Sequence, residues 1–218
     1  MPRRFRPVRN AEVLQRSGTD WKRGNKKGAI TMAASFGRQL LVDLLSPGST
    51  HPPSPPPTAN AVVDTVYLGA APVGFLGHAD AIHQKGIVAV INMCGEYRGP
   101  VDDYRRLGIE QLWLPTVDHE EPDLADYNRG VAFIEKWHRK GGKVLVHCKA
   151  GHGRSSAIVM GWLLASDRNS TPREVQTQMS SKRRVRKYLY KQLNLRLFYR
   201  GLQTSADGTG KDREKVVR

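Results

Sequence analysis

Val144-Leu145-Val146-His147-Cys148-Lys149-Ala150-Gly151-His152-Gly153-Arg154-Ser155-Ser156, followed directly by the apolar run Ala157 to Ala165, reads as a buried strand, a loop and the start of a helix. A loop in that position points successive backbone N–H groups inward, and the helix N-terminus adds positive potential, so the segment suits a tetrahedral phosphate dianion. Gly151 and Gly153 let the backbone turn and approach the anion closely. Arg154 offers a bidentate guanidinium to two phosphate oxygens. Cys148 opens the loop, where the helix dipole and Arg154 lower a thiol pKa below its free value of about 8.5 and make a nucleophile aimed at phosphorus. A buried structural cysteine is the commoner fate of a lone Cys. That reading leaves the Gly and Arg pattern after Cys148 unexplained.

The flanking punctuation extends the pattern. Val62 to Leu68 is strand-like, Gly77 to Lys85 helix-like, Val88 to Met93 an apolar run suited to a buried strand, and Gln111 to Pro115 another strand. Asp123 to Lys140 places Leu124, Tyr127, Val131, Ile134 and His138 on one helical stripe, stopped by Gly141-Gly142. Lys143 to His147 is a strand and Ser155 to Ala165 a buried helix. Thr171-Pro172-Arg173-Glu174 opens a further helix with a capping box and Pro in its first turn. Strands alternating with helices predict an α/β fold: a central, mostly parallel sheet flanked by helices, carrying a Cys-x5-Arg phosphate-binding loop.

The chain has 218 residues, which bounds it to one ordinary domain with tails and excludes a large multidomain assembly. With only 2 Cys, Cys94 and Cys148, it is no disulfide-stapled secreted scaffold, and no apolar run approaches the roughly 18 residues of a membrane span. The net charge of +15 suggests a polyanion partner until it is divided along the chain. Residues 1–58 carry +7, residues 59–180 carry −1 and residues 181–218 carry +9, so a nearly neutral body is flanked by basic ends. The Arg-rich, acid-poor first 45 residues have the composition of an organelle transit peptide, with a short amphipathic helix over Phe36 to Leu45. The same composition also permits a disordered basic extension. Six prolines between Pro47 and Pro57 then read as an extended spacer that ends near Thr58.

His147-Cys148-Lys149-Ala150-Gly151-His152-Gly153-Arg154-Ser155 resembles the signature of cysteine-dependent dual-specificity phosphatases, His-Cys-x-x-Gly-x-x-Arg-Ser/Thr, at every defined position. The similarity runs over roughly Val62 to Tyr199. Within that superfamily it is nearest the mitochondrial protein-tyrosine-phosphatase-like branch, the phosphatidylglycerophosphate phosphatases. It rests on Tyr67-Leu68-Gly69-Ala70, Gly95-Glu96-Tyr97, Gly108-Ile109-Glu110-Gln111-Leu112, Thr116-Val117-Asp118 and the Cys148 loop in similar order. His152 departs from the branch, where Arg is usual, which bears on substrate more than on reaction. The division expected is a basic leader at 1–46, a Pro-rich linker at 47–58, a phosphatase domain at 59–203 and a charged tail at 204–218.

The resemblance implies a phosphomonoester hydrolase that works through a phosphocysteine on Cys148 and needs no metal or other cofactor. Arg154 and the amides of Lys149, Ala150, Gly151, His152 and Gly153 would hold the phosphoryl oxygens, and Ser155 would assist thiolate departure. His147 would orient the loop, although a His ending a strand is often only a hydrogen-bonded core residue. The leaving oxygen needs a proton, and Asp118, 30 residues before Cys148, is the expected acid. Glu120, Glu121, Asp123 and Asp126 compete with it, Asp123 having its own reading as a helix cap. Lys149 and His152 suit a substrate with a second phosphate, such as a lipid phosphate, or simply raise affinity for any anion. Cys94 is placed like the resolving cysteine of a related lipid phosphatase, or is a core residue at a strand end.

The basic cluster Lys182, Arg183, Arg184, Arg186, Lys187 and Lys191 is expected around a final helix, lining the pocket or forming a solvated face. The partners expected are a phospholipid phosphate or phosphoprotein substrate and an anionic membrane surface. Nucleic acid is the weaker reading: Tyr188, Tyr190 and Tyr199 could stack on bases, but no recognised RNA-binding motif accompanies them. The resemblance places the chain in mitochondria, with plastid and cytoplasm as alternatives. Phosphatidylglycerophosphate hydrolysis in phosphatidylglycerol or cardiolipin synthesis leads. Its rivals are a protein tyrosine or serine/threonine phosphatase, an RNA 5′-triphosphatase and a non-catalytic binder of phosphorylated ligands.

Overall fold

The computed structural model describes residues 60–207. The leader, the amphipathic segment at 36–45, the proline-rich spacer and most of the charged tail lie outside them. Five strands form one sheet: β1 Asn60–Val63, β2 Val66–Ala70, β3 Ile87–Cys94, β4 Glu110–Thr116 and β5 Lys143–Cys148, in the spatial order β1-β2-β5-β3-β4. All neighbouring pairs are parallel except β1 with β2. The sequence led us to expect one strand over Val62 to Leu68. The structure breaks it at Asp64-Thr65 into an antiparallel hairpin, a turn without the Asn-Gly or Asp-Gly signal that marks such a connection.

β3 and β5 are apolar along almost their whole length because both of their faces are covered. On one face Val90 and Leu145 join Ala79 and Ile82 of α1 (His78–Gln84) and Tyr104 of α2 (Val101–Arg106) in one cluster. On the other, Leu114 meets α3 (Leu124–Arg139) and α4 (Arg154–Ser166). α4 is buried on every side from Arg154 to Leu164, being enclosed by the sheet, α3, α5 (Pro172–Lys182) and α6 (Leu193–Asp207). That is why its run from Ala157 to Ala165 is apolar throughout rather than striped. Asp123 caps α3 by accepting from Asp126 N at 2.7 Å, and Thr171 and Glu174 form the expected capping box of α5.

One helix, α2, escapes the sequence pattern, and the final helix starts later than expected. α2 is only six residues long and α6 lies beyond the basic cluster. The cluster itself is not helical: α5 ends at Lys182, and residues 183–188 run as a loop to a 3-10 turn at Leu189–Lys191. The loop closes on Tyr188, held in the left-handed region at φ 63°. The expected final helix thus begins beyond the cluster, because Arg183 and Arg186 reach inward to backbone carbonyls at the sheet end rather than outward along a helix face.

Gly130 of α3 sits where an added Cβ would be 2.7 Å from Ile158 Cγ2 of α4, so the two helices touch through the space a side chain would take. We expect Gly130→Ala to lower stability by about 1 kcal/mol or more in urea unfolding, because overpacking against a stiff β-branched neighbour outweighs the gain in helix propensity. A more stable variant would contradict this packing.

Candidate active site

β5 delivers Cys148 to the carboxyl end of the sheet, and the chain runs through residues 149–153 before α4 begins at Arg154. The loop is pinned from several sides. Ala71 N donates to the Lys149 carbonyl at 3.3 Å and Ser156 Oγ to the Gly151 carbonyl at 3.2 Å. Arg183 donates to the Leu68 carbonyl and, at 3.3 Å, to that of Ala150. Gly151 has φ 72°, and a Cβ there would fall 2.3 Å from the Gly69 carbonyl oxygen, so only glycine fits between loop and β2.

Cys148 is 4% exposed, and Ser155 Oγ donates to its Sγ at 3.2 Å. Burial opposes ionisation of the thiol. The Ser155 hydroxyl and backbone N–H, the Arg154 charge and the Gly153 N–H outweigh it and bring the pKa below the ordinary value. Arg154, 1% exposed, is held at four points. Nη1 donates to Glu96 Oε2 at 2.8 Å and to the Thr116 carbonyl at 2.9 Å, while Nη2 donates to Glu96 Oε1 at 2.9 Å and stands 2.8 Å from Asp118 Oδ1. Burial disfavours this charge as well, and the Glu96 carboxylate more than restores it.

Glu96 is itself fixed by a buried frame at the end of β3. Asn92 Nδ2 donates to the Tyr97 carbonyl at 2.8 Å, Asn92 Oδ1 accepts from Cys94 N at 2.9 Å, and Tyr97 Oη donates to the Pro72 carbonyl at 3.0 Å. The Thr116 carbonyl that receives Arg154 also accepts from Gly95 N at 3.3 Å. Asp118 follows β4, its Oδ1 also accepting from His119 N at 3.0 Å. Three of the four competing acids are occupied elsewhere: Asp123 caps α3, Asp126 faces Arg129 at 3.4 Å and Glu121 accepts from Asn194 N, while Glu120 does not line the cavity. Asp118 is the carboxylate that borders a cavity of about 500 Å³ opening on Cys148, beside Lys149, Arg154, Arg184 and Lys187.

His147 is fully buried, its Nδ1 3.4 Å from the Cys148 carbonyl oxygen, and burial with the nearby Arg154 charge lowers its pKa to about 3. It is neutral at physiological pH. Any influence on the loop therefore passes through contact rather than charge. His152 is likewise shifted down, first by burial and then by Arg183 and Arg184, so the fixed cations of the rim outweigh the titratable one. Cys94 is a free, fully buried thiol on β3 next to β5, and burial pushes its pKa far up, which leaves it protonated.

The catalytic domain family of dual specificity phosphatases matches residues 66–195. The chain belongs to that family. It is 38% identical over 106 residues to the human phosphatidylglycerophosphatase and protein-tyrosine phosphatase 1, covering 46% of this chain and 52% of that protein. It is also 37% identical over 119 residues to the mouse dual specificity protein phosphatase 12, covering 52% of this chain and 34% of that protein. The chain thus spans about a third to a half of these relatives. Among solved structures, PTPMT1 superimposes with a TM-score of 0.59 at 29% identity, covering 69% of this chain and 99% of that one. PTPMT1 in complex with PI(5)P gives 0.57 at 27%, covering 68% and 98%.

The structure places Cys148, Arg154, Ser155, Asp118 and the phosphate loop side by side. The sequence alone places Arg183 and Arg186 only within a basic cluster that lines the pocket or forms a solvated face, and it does not assign Glu96, Asn92 or His119 to the site. One available signal was that ligands of parallel sheets lie beyond the carboxyl ends of the strands, where Glu96 and His119 both stand. We expect alkylation of Cys148 by iodoacetamide to reach half its maximal rate at a pH below the free-thiol value of about 8.5. Ser155→Ala should move that midpoint upward, since a donor to the thiolate is lost. A midpoint at or above the free-thiol value in the unmodified chain would contradict the electrostatics described.

Proposed function

We propose that this chain hydrolyses phosphate monoesters through a phosphocysteine, and that its substrate is a lipid phosphate of the phosphatidylglycerophosphate type. The supporting observation is the cavity: one nucleophile at its floor, one carboxylate at its wall, and fixed cations at Lys149, Arg184 and Lys187 around the mouth. That is more positive charge than a single phosphoryl group requires, and it fits a substrate whose second phosphate lies beyond the first. The relatives support the same reading, one named a phosphatidylglycerophosphatase and one solved with PI(5)P.

In this mechanism the Cys148 thiolate attacks phosphorus, the bond to the leaving oxygen breaks, and Asp118 delivers the proton that oxygen needs. Arg154 supplies the logic of the sequence. Both hydrogens of Nη1 and one of Nη2 are committed to Glu96 and Thr116, so a phosphate that takes the remaining hydrogen of Nη2 takes the place of Asp118. Substrate binding would thereby release the acid from its ion pair. Water, activated by the Asp118 carboxylate, then attacks the phosphocysteine, and Ser155 donates to the departing thiolate.

The surface near the mouth suits an anionic bilayer. Tyr188, Leu193 and Leu197 are exposed, as are Arg184, Lys187 and Lys191, and Lys191 Nζ lies 4.7 Å from the centre of the Tyr188 ring. Each surface-near Lys or Arg adds about 1 kcal/mol of attraction to anionic lipid. A protein substrate is the alternative, favoured by the match to dual specificity protein phosphatase 12.

We expect phosphate release from phosphatidylglycerophosphate in vesicles to exceed that from a phosphotyrosine peptide. Cys148→Ser should abolish both and Asp118→Ala should lower the lipid rate by about 100-fold. Preference for the peptide would replace the lipid assignment with the protein one.

A further inference from the structure

Arg186 makes two hydrogen bonds to opposite walls of the site. Its backbone N donates to the His152 carbonyl at 2.6 Å, inside the phosphate loop, and its Nη1 donates to the His119 carbonyl at 3.0 Å, one residue beyond Asp118. The guanidinium lies against Gly153, where an added Cβ would be 3.0 Å from its Cζ and Nη2, so Gly153 leaves the space that the planar group fills. The other side of the residue is anchored to α5: the Arg186 carbonyl accepts from Gln176 Nε2 at 3.2 Å, and Gln176 Oε1 accepts from Leu189 N at 3.0 Å.

The backbone on both ends of this link is held in a sparsely populated conformation. His119 (φ 69°) and Tyr188 (φ 63°) are the non-glycine residues of positive φ among those described. Such conformations persist where the surroundings over-determine them and concentrate at functional sites. At His119 the left-handed turn presents its carbonyl to Arg186 while its N–H, at 3.0 Å, holds Asp118 Oδ1. No ion pair to Arg186 exists among the described residues, so its charge is spent on carbonyls and on the loop rather than on a carboxylate.

We propose that Arg186 is a positioning residue that ties the Asp118 loop to the phosphate loop and so fixes where the acid meets the leaving oxygen. The proposal rests on the reading of Asp118 as the acid. Arg186 acts on proton delivery, and its loss is felt in proportion to how much the leaving group needs that proton.

The test compares the full chain with Arg186→Ala, Arg186→Lys, Asp118→Asn and the Asp118→Asn/Arg186→Ala pair on aryl and alkyl phosphates of graded leaving-group basicity. We expect Arg186→Ala to lower kcat on alkyl phosphate at least about tenfold more than on p-nitrophenyl phosphate, a fraction of the 100-fold or more that a general acid supplies. Arg186→Lys should recover part of the loss, and the double variant should be no slower than Asp118→Asn alone. Should Arg186→Ala fail to fold, Arg186→Lys carries the same comparison with a smaller ratio. A uniform loss across leaving groups, or additive losses in the double variant, overturns the role of Arg186 while leaving Asp118 as the acid. A flat leaving-group dependence in Asp118→Asn overturns the acid assignment and the proposal with it.

Discussion

The buried guanidinium of Arg154 is the constraint on which the site is built. A cation at 1% exposure costs several kcal/mol unless it is paired and hydrogen-bonded. The structure meets that demand with the Glu96 carboxylate, the Thr116 carbonyl and Asp118. These partners come from the ends of two strands, and the guanidinium itself from the end of a third. β3 supplies Glu96, β4 supplies Thr116 and Asp118, and β5 leads into Arg154 itself. Satisfying one charge therefore aligns three strand ends, and the same alignment places the nucleophile, the anion clamp and the acid around one cavity.

The basic loop after α5 closes the site from the fourth side. Arg183 reaches the Leu68 and Ala150 carbonyls and Arg186 reaches those of His152 and His119, so the loop grips β2, the phosphate loop and the acid loop at once. Arg184 and Lys187 stay exposed and carry charge to the rim. A run of cations thus divides its work by direction. The inward pair holds backbone and the outward pair meets anions.

Much of this was legible in the sequence because the elements involved obey strong local rules. The β5 to α4 passage shows an apolar strand, two glycines and an apolar run from Ala157 to Ala165, which together read as strand, loop and buried helix. Asp123 and the Thr171 box announced their helices through capping chemistry. The hairpin at Asp64-Thr65 stayed hidden because its turn lacks a glycine. The role of Glu96 stayed hidden because it arises from a partner 58 residues away. The basic cluster admits two readings, because charge spacing alone cannot distinguish a solvated helix face from a loop whose arginines turn inward to backbone carbonyls. Long-range polar satisfaction is the common element of these misses, and it is fixed only once the strands have met.

The claim on which the account stands is covalent catalysis by Cys148. Rapid acid quench during turnover, followed by peptide mass spectrometry, tests it most directly. The account predicts a phosphoryl group on the peptide containing Cys148, accumulating to a higher level in Ser155→Ala, where thiolate departure is slowed. Undiminished turnover with no phosphoryl group on Cys148 in either form would contradict it.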